Sequence, residues 1–245
     1  MSDIAERIWD LQTSREAHDL LYAQQFSPYT DDRVVEALGV DGLLQLYLYD
    51  PDECKHAQML LERWAPKADA RILDVGCGNG HMAALCMQVR PDLDFTLLGH
   101  SPSQLAQCAG NRLQGDMHAL PFQPETFDAL FFCYSLGYGL AEAVFIQAQH
   151  ALKQGGQLVV YDILADDING FTPDAVLVSL GYLSYNVERL WAIGMRYGFT
   201  LQVSEVATPT CLNPRLGMHT RDAEALLVEV EPRLMIWEKY ALAPD

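Results

Sequence analysis

The chain has 245 residues, half of them hydrophobic and a fifth charged, a size that suits one sizeable domain or one domain with an added lobe. A formal charge of −17, with only 16 Lys and Arg and no run of them, argues against a nucleic-acid partner, whose phosphates need cationic side chains. No apolar run approaches the ~20 residues of a membrane span, Met1 to Glu6 lacks the basic start of a secretion signal, and six cysteines without a C-x-x-C pair suit a reducing, cytoplasmic setting and no metal site.

Residues 1–66 read as an N-terminal helical lobe. Ile4, Ile8, Leu11, Leu20 and Leu21 recur at helical spacing, and no strand-like alternation of any length occurs there. Ser27-Pro28-Tyr29 and Asp50-Pro51-Asp52 break the stretch into short helices. Asp52 stands as the cap of a helix from Glu53 to Trp64, which Pro66 closes. Tyr22, Phe26 and Tyr29 either line a lid over a substrate or form the core of the lobe.

From Ala70 apolar runs alternate with helical segments, which predicts an α/β, doubly wound, mostly parallel seven-stranded sheet covered on both faces. Strands are expected at 71–75, 94–99, 112–114, 127–132, 156–163, 199–206 and 233–240, the last antiparallel. Helices are expected at 80–90, 102–109, 140–152 and 187–197. This core runs over 67–245, with insertions near 164–186 and 207–231. In such a sheet, ligands bind beyond the carboxyl ends of the strands, where the strand order reverses.

The first strand runs through Asp74-Val75 into Gly76-Cys77-Gly78-Asn79-Gly80, and a helix follows. Three alternating glycines and a buried carboxylate make a poor core and a good seat for a polar cofactor against bare backbone. A dinucleotide turn wants its third glycine one place later, where His81 stands. The pattern resembles the first motif of the class I S-adenosylmethionine (SAM)-dependent methyltransferases. The resemblance implies their Rossmann-like fold, S-adenosyl-L-methionine as cofactor, and contact with it at Gly76, Cys77, Gly78 and Gly80. Asp74 either orients the turn and reaches the cofactor's amino group through water, or serves as a turn cap.

The second strand ends at Gly99-His100-Ser101-Pro102. The ribose-binding carboxylate expected about 20 residues after the glycines falls at position 100, where this chain has histidine. A neutral imidazole makes one hydrogen bond where a carboxylate accepts two, and Ser101 is a further contributor. Cyclopropane-fatty-acid synthases and prenyl-diphosphate C-methyltransferases also lack this acid.

The segment Gly115-Asp116-Met117-His118-Ala119-Leu120-Pro121-Phe122, then Glu125-Thr126-Phe127-Asp128, resembles the adenine-holding segment of the methyltransferases related to ubiquinone and menaquinone biosynthesis. It implies that Asp116 accepts from the exocyclic amine and that Met117 lies against the ring, the alternative for Asp116 being an Asx-turn. By the same resemblance Cys133 to Tyr138 lies over the methyl group, and Leu152-Lys153-Gln154-Gly155-Gly156 is similar to the turn before strand five, with Gln154 in place of proline. Nearer the N-terminus, Tyr47, Tyr49 and Gln58 look like the segment preceding the SAM site in the cyclopropane synthases, which implies cofactor contacts from these three or, alternatively, a helix packing its aromatics.

Methyl transfer asks chiefly for a nucleophile held about 3 Å from the methyl group in a dry pocket, and for a base only where the nucleophile bears a proton. Tyr134, Tyr138, His118 and Asp162 are the catalytic candidates at the mouth, whereas His150 reads as a surface residue. The expected reaction is methyl transfer to a small hydrophobic molecule, such as a quinone, terpenoid or polyketide precursor. For a diphosphate, Arg33, Lys55, Arg189, Arg215 and Arg221 are the cations placed to meet it. The other reading is a binding or scaffold module that keeps the methyltransferase shell without transferring methyl, and His100 favours it.

Overall fold

The computed structural model describes residues 53–164, 185–207 and 231–240. The expected lobe up to residue 52, with Tyr22, Phe26, Tyr29, Arg33, Tyr47 and Tyr49, lies outside the described residues, as do the bodies of both expected insertions with Arg215 and Arg221.

In chain order the elements are α1 (Glu53–Trp64), β1 (Arg71–Val75), α2 (His81–Val89), β2 (Asp94–Gly99), α3 (Pro102–Leu105), β3 (Asn111–Gln114), β4 (Phe127–Cys133), α4 (Ala141–Ala151), β5 (Leu152–Leu164), α5 (Val187–Arg196), β6 (Phe199–Val206) and β7 (Glu231–Lys239). A 3-10 turn, Leu136–Tyr138, sits between β4 and α4. The seven strands form one sheet in the order β3-β2-β1-β4-β5-β7-β6. Only β7 runs against the rest, pairing antiparallel with β5 and β6.

Two expected boundaries move. β5 begins at Leu152 because Leu152 pairs with Phe127 and Gln157 with Ala129, so the Lys-Gln-Gly-Gly stretch bulges out within the strand. α3 ends at Leu105, and the chain then reaches β3 through Gly110, whose φ of +88° turns it out of helical geometry.

The strands carry apolar side chains to both faces, as a sheet sandwiched between helices requires. On one face Leu73, Val75, Leu98, Phe132, Val160 and Trp237 pack with Val144 and Phe145 of α4 and Leu190 and Ile193 of α5. On the other, Ile72, Leu97, Phe131, Val159 and Tyr161 pack with Leu60 and Trp64 of α1 and Ala83 and Cys86 of α2. Trp64 stacks on Phe131 at 5.3 Å and donates to Gln157 Oε1 at 2.9 Å, which ties α1 across the sheet. Gly194 lets α5 settle on Trp237, since a Cβ there would lie 2.7 Å from the indole nitrogen. β3 is exposed along its length and polar, a composition that discourages pairing at the open edge.

The amino end of the sheet is held by charge. Asp128 at the start of β4 accepts from the Arg71 backbone N–H at 2.9 Å and pairs with Lys67 at 2.6 Å and Lys153 at 2.8 Å. The two lysines and the backbone donor hold its carboxyl down at about 2 against the opposing effect of burial. Function belongs at the opposite end.

Candidate functional site

The strand order reverses between β1 and β4, and the carboxyl ends of these two strands flank a crevice. Ser135 pins its walls together. Its hydroxyl, buried just past β4, donates to the Val75 carbonyl at 2.6 Å. A Cβ on Gly76 would lie 2.5 Å from Ser135 Cβ, so glycine at 76 permits this contact.

The three glycines of the turn then divide by what faces them. All have positive φ, at +75°, +55° and +76°. At Gly80 a Cβ would meet Leu97 at 2.9 Å and the Cys108 sulfur at 3.1 Å, so this glycine serves packing of the turn against β2 and the chain just beyond α3. At Gly78 only the Gln104 side-chain nitrogen comes near, at 3.8 Å. Bare backbone meets open space at that one position, with Gln104 as its neighbour. The sequence reading treats the glycines alike and misses Gln104, although the Ser-Pro-Ser-Gln run opening α3 was there to suggest a side chain aimed back at the turn.

Asp74 sits one residue before the end of β1 and is 2 % exposed. Burial, with Cys108 nearby, pushes its pKa up to about 8. A carboxyl in this state favours the arrival of a cation, which would restore its charge.

The other strand ends converge on the same crevice. His100 is exposed at the end of β2, with its carbonyl accepting from Gln114 at 3.1 Å. Ser101 is buried and accepts from the Gln104 backbone N–H at 3.3 Å, which caps α3. Beyond β3, Asp116 Oδ1 accepts from the His118 backbone N–H at 2.9 Å, an Asx-turn, and lies 2.6 Å from His118 Nδ1. His118 Nε2 accepts from the Leu140 backbone N–H at 2.9 Å. That bond places the ring proton on Nδ1, facing Asp116, so both ring nitrogens are engaged and His118 works as a brace between two loops. Met117 reaches the space beside Gly76 and packs against Gly139.

Tyr134 and Asp162 turn inward. Tyr134 holds φ of +51°, a left-handed conformation that costs a tyrosine on the order of 1 kcal/mol. Its ring meets Tyr161 edge-on at 5.1 Å, and its hydroxyl is buried without a hydrogen-bond partner among the described residues. Burial holds that phenol well above its ordinary range. Burial does the same for the half-buried Cys133 thiol. Asp162, 1 % exposed, accepts from the Leu136 backbone N–H at 3.0 Å and so fastens the 3-10 turn. Tyr138 lies half-buried at the end of that turn. Sequence reasoning also misses Tyr185, whose hydroxyl donates to Gly139 O at 2.6 Å and accepts from Ala141 N–H at 3.0 Å. Nothing in the sequence around Tyr185 signals that reach.

Gln58 stands apart from the crevice contacts: it is exposed on α1 and donates to Glu62 at 2.8 Å. His150 is exposed at the end of α4, as expected. No group of His, Cys, Asp or Glu among the described residues is arranged to hold a metal ion, and no described helix is long and apolar enough to cross a membrane.

Residues 72–156 match a family model described as a methyltransferase domain. A demethylmenaquinone methyltransferase of Thermotoga maritima is 30% identical over 109 residues, covering 42% of this chain and 47% of its own. The chain thus spans about half the length of that curated relative. Among solved structures, the [4+2]-cyclase SpnF aligns at a TM-score of 0.65 and 19% identity, over 78% of this chain and 82% of that one. A geranyl diphosphate C-methyltransferase from Streptomyces coelicolor, in complex with Mg2+, geranyl diphosphate and S-adenosyl-L-homocysteine, aligns at 0.62 and 13% identity, over 80% and 88%. These last two likenesses are of fold. The strand order and the matched stretch agree: residues 72–156, which hold the glycine turn and the Asp116 segment, match a methyltransferase domain, and the solved structures share the fold around it.

Proposed function

We propose that this protein transfers the methyl group of S-adenosyl-L-methionine to a small hydrophobic acceptor, with carbon as the receiving atom. The observation that carries the cofactor half is the pairing of open backbone at Gly78 with a buried carboxyl at Asp74, at the point where strand order reverses. That donor set fits an amino-acid tail, in which an ammonium group answers Asp74. When bound, the cofactor supplies a methyl carbon already made electrophilic by its sulfonium.

The remaining work falls to the chain's own residues. Gly76, Cys77, Gly78 and Gly80 form the turn against which the tail lies, and His100 with Ser101 stands where a ribose is held. Asp116 and Met117 are the adenine-side residues. Asp116 presents an oxygen already oriented by the His118 brace, and Met117 supplies a polarisable apolar contact. Cys133, Tyr134 and Tyr138 wall the acceptor side. Tyr134 and Asp162 act there by shaping and polarising the wall, since a phenol held protonated by burial is no base at neutral pH. For a carbon nucleophile that develops positive charge, an aromatic face and a buried carboxylate are suitable company.

The quinone and geranyl diphosphate methyltransferases among the similar proteins support a prenylated or quinone-like acceptor. A second reading, a methyltransferase shell used without methyl transfer, has the exposed His100 in its favour, and the cyclase among the fold neighbours is a further precedent for other chemistry on this frame. Calorimetry with SAM and S-adenosylhomocysteine, followed by incubation with radiolabelled SAM and a panel of prenylated and quinone acceptors, separates the readings. Micromolar binding with label appearing in an organic-extractable product supports transfer. Binding without product across the panel favours the shell, and no binding at millimolar cofactor ends both the enzyme and cofactor assignments.

A further inference from the structure

Three successive backbone groups, the Gly139 carbonyl and the Leu140 and Ala141 N–H groups, are each held by a side chain from a distant segment. Tyr185 holds the outer two, and His118 Nε2 accepts from the Leu140 N–H at 2.9 Å. This stretch continues directly from Tyr138 and the 3-10 turn, so its position sets the acceptor wall. His118 is also the partner of Asp116: its backbone N–H and its Nδ1–H both go to Oδ1, at 2.9 Å and 2.6 Å. One neutral imidazole therefore ties the adenine-side carboxylate to the acceptor wall. Gly139 makes room for it, since a Cβ there would collide with the Met117 sulfur and lie 3.5 Å from His118 Nε2. The Asp116 side chain keeps 41 % of its surface open, against 20 % for His118, so a ligand reaches the carboxylate more readily than the ring. The loop does not depend on the ring alone. Ala119 N–H donates to the Asp116 carbonyl at 3.1 Å, and Leu120 N–H to Gln147 Oε1 of α4 at 2.9 Å.

We propose that His118 is a positioning residue that couples cofactor occupancy at Asp116 to the order of the Gly139–Ala141 wall. The inference rests on the reading of Asp116 and of the acceptor side given above. A donor arriving at Asp116 fixes the carboxylate. A fixed carboxylate holds Nδ1–H, and with it the ring, at one angle, and the ring then presents Nε2 to Leu140 along one line. Hydrogen bonds weaken steeply off line, so a rocking ring holds the Leu140 N–H less well than a fixed one. The coupling runs both ways: whatever the cofactor adds to the order of the wall, an ordered wall returns as the same factor in cofactor affinity. The wall is best ordered once the cofactor is seated, which favours cofactor binding before the acceptor.

The test reads hydrogen exchange at the Leu140 amide in the full chain, with and without S-adenosylhomocysteine, beside calorimetry of the same ligand. In the wild type the ligand should slow that exchange about fivefold or more. Two variants cut the link from opposite ends. His118→Asn keeps an N–H where Nδ1–H stood but is too short to reach Leu140. His118→Gln carries an acceptor out to Leu140 and gives up the donor to Asp116. Without ligand, Leu140 should exchange fast in His118→Asn and stay protected in His118→Gln, and in neither should the ligand change its rate. Reciprocity supplies a number to match: His118→Asn should lose in affinity the same factor by which the ligand slows the wild-type amide. Binding to the wild type without slowing at Leu140 overturns the coupling alone. Slowing that persists in either variant overturns it too, because the ligand would then be shielding the amide directly, and so does wild-type affinity in His118→Asn. Should His118→Asn not fold, the wild type and His118→Gln still decide the matter. No binding to the wild type overturns the coupling together with the cofactor assignment beneath it.

Discussion

Gly78 and Gly80 stand two positions apart and respond to a side chain in opposite ways. At Gly80 the new atoms would drive into Leu97 and Cys108, so Gly80→Val costs folding. At Gly78 they would enter open space, so Gly78→Val keeps the fold at a strain cost of about 1–2 kcal/mol and loses S-adenosylhomocysteine binding by filling the seat. Thermal melts beside calorimetry distinguish the two; a Gly78→Val protein that binds normally would remove the turn from the site.

Asp74 gives a pH signature. Its folded pKa of about 8 lies above the ordinary 3.8, so the neutral carboxyl is tolerated in the fold and ionisation is not. The stability it permits is complete below its unfolded pKa and is lost as pH rises from about 4 through 8. Asp74→Asn, which cannot ionise, should therefore gain on the wild type across that window in ligand-free urea titrations. The gap should reach on the order of 6 kcal/mol at its upper end. Parallel pH curves for the two proteins would show that Asp74 is not buried as a neutral acid. His100→Asp restores the two-acceptor group at the end of β2, and cofactor affinity should rise or stay level. A tenfold loss would assign the imidazole a specific role.

At the scale of elements, the two ends of the sheet are held by different physics and should fail independently. Asp128 joins β4 to β1 and to the bulge of β5 through two lysines and a backbone donor. Its folded pKa of about 2 lies below the ordinary value, so its contribution is present above about pH 4 and disappears as pH falls toward 2. Because Lys67 and Lys153 are substantially exposed, Asp128→Asn should cost only about 1–2 kcal/mol at neutral pH, little at pH 2, and nothing in cofactor affinity. At the other end, Tyr185→Phe removes a donor to Gly139 and an acceptor from Ala141, a loss of roughly 1–3 kcal/mol. The Ala141 amide should then exchange faster in native-state hydrogen exchange, with the Asp128 end unchanged.

Across the molecule, what the sequence made legible follows from how far each signal reaches along the chain. Parallel strands buried on both faces are continuous apolar runs, so β1, β2 and β4 could be bounded closely from composition alone, while β6, an edge strand paired only with β7, shows as alternation. The antiparallel entry of β7 followed from the short connection expected before it. The β5 bulge was hidden because its start depends on pairing with Phe127, a long-range event. The site shows the same division. The glycine turn and the Asp116 segment are local patterns, readable in order. The roles of Gln104, Ser135, Cys108 and Tyr185 arise only when distant segments meet, and the inward turn of Tyr134 depends on a left-handed backbone that no residue type there foretells.

Three of the four tryptophans lie among the described residues, and their placement gives the fold two internal lamps. Trp64 and Trp237 are buried on opposite faces of the sheet, at 3 % and 0 % exposure, while Trp191 stands half in water on α5. Iodide should therefore quench the Trp191 emission and leave the two interior indoles bright. Detachment of α1 would dim or shift Trp64 alone, whereas loosening of α5 would change Trp237, which Gly194 holds in contact with that helix. Single-tryptophan variants would thus follow the two helical layers separately as the protein unfolds.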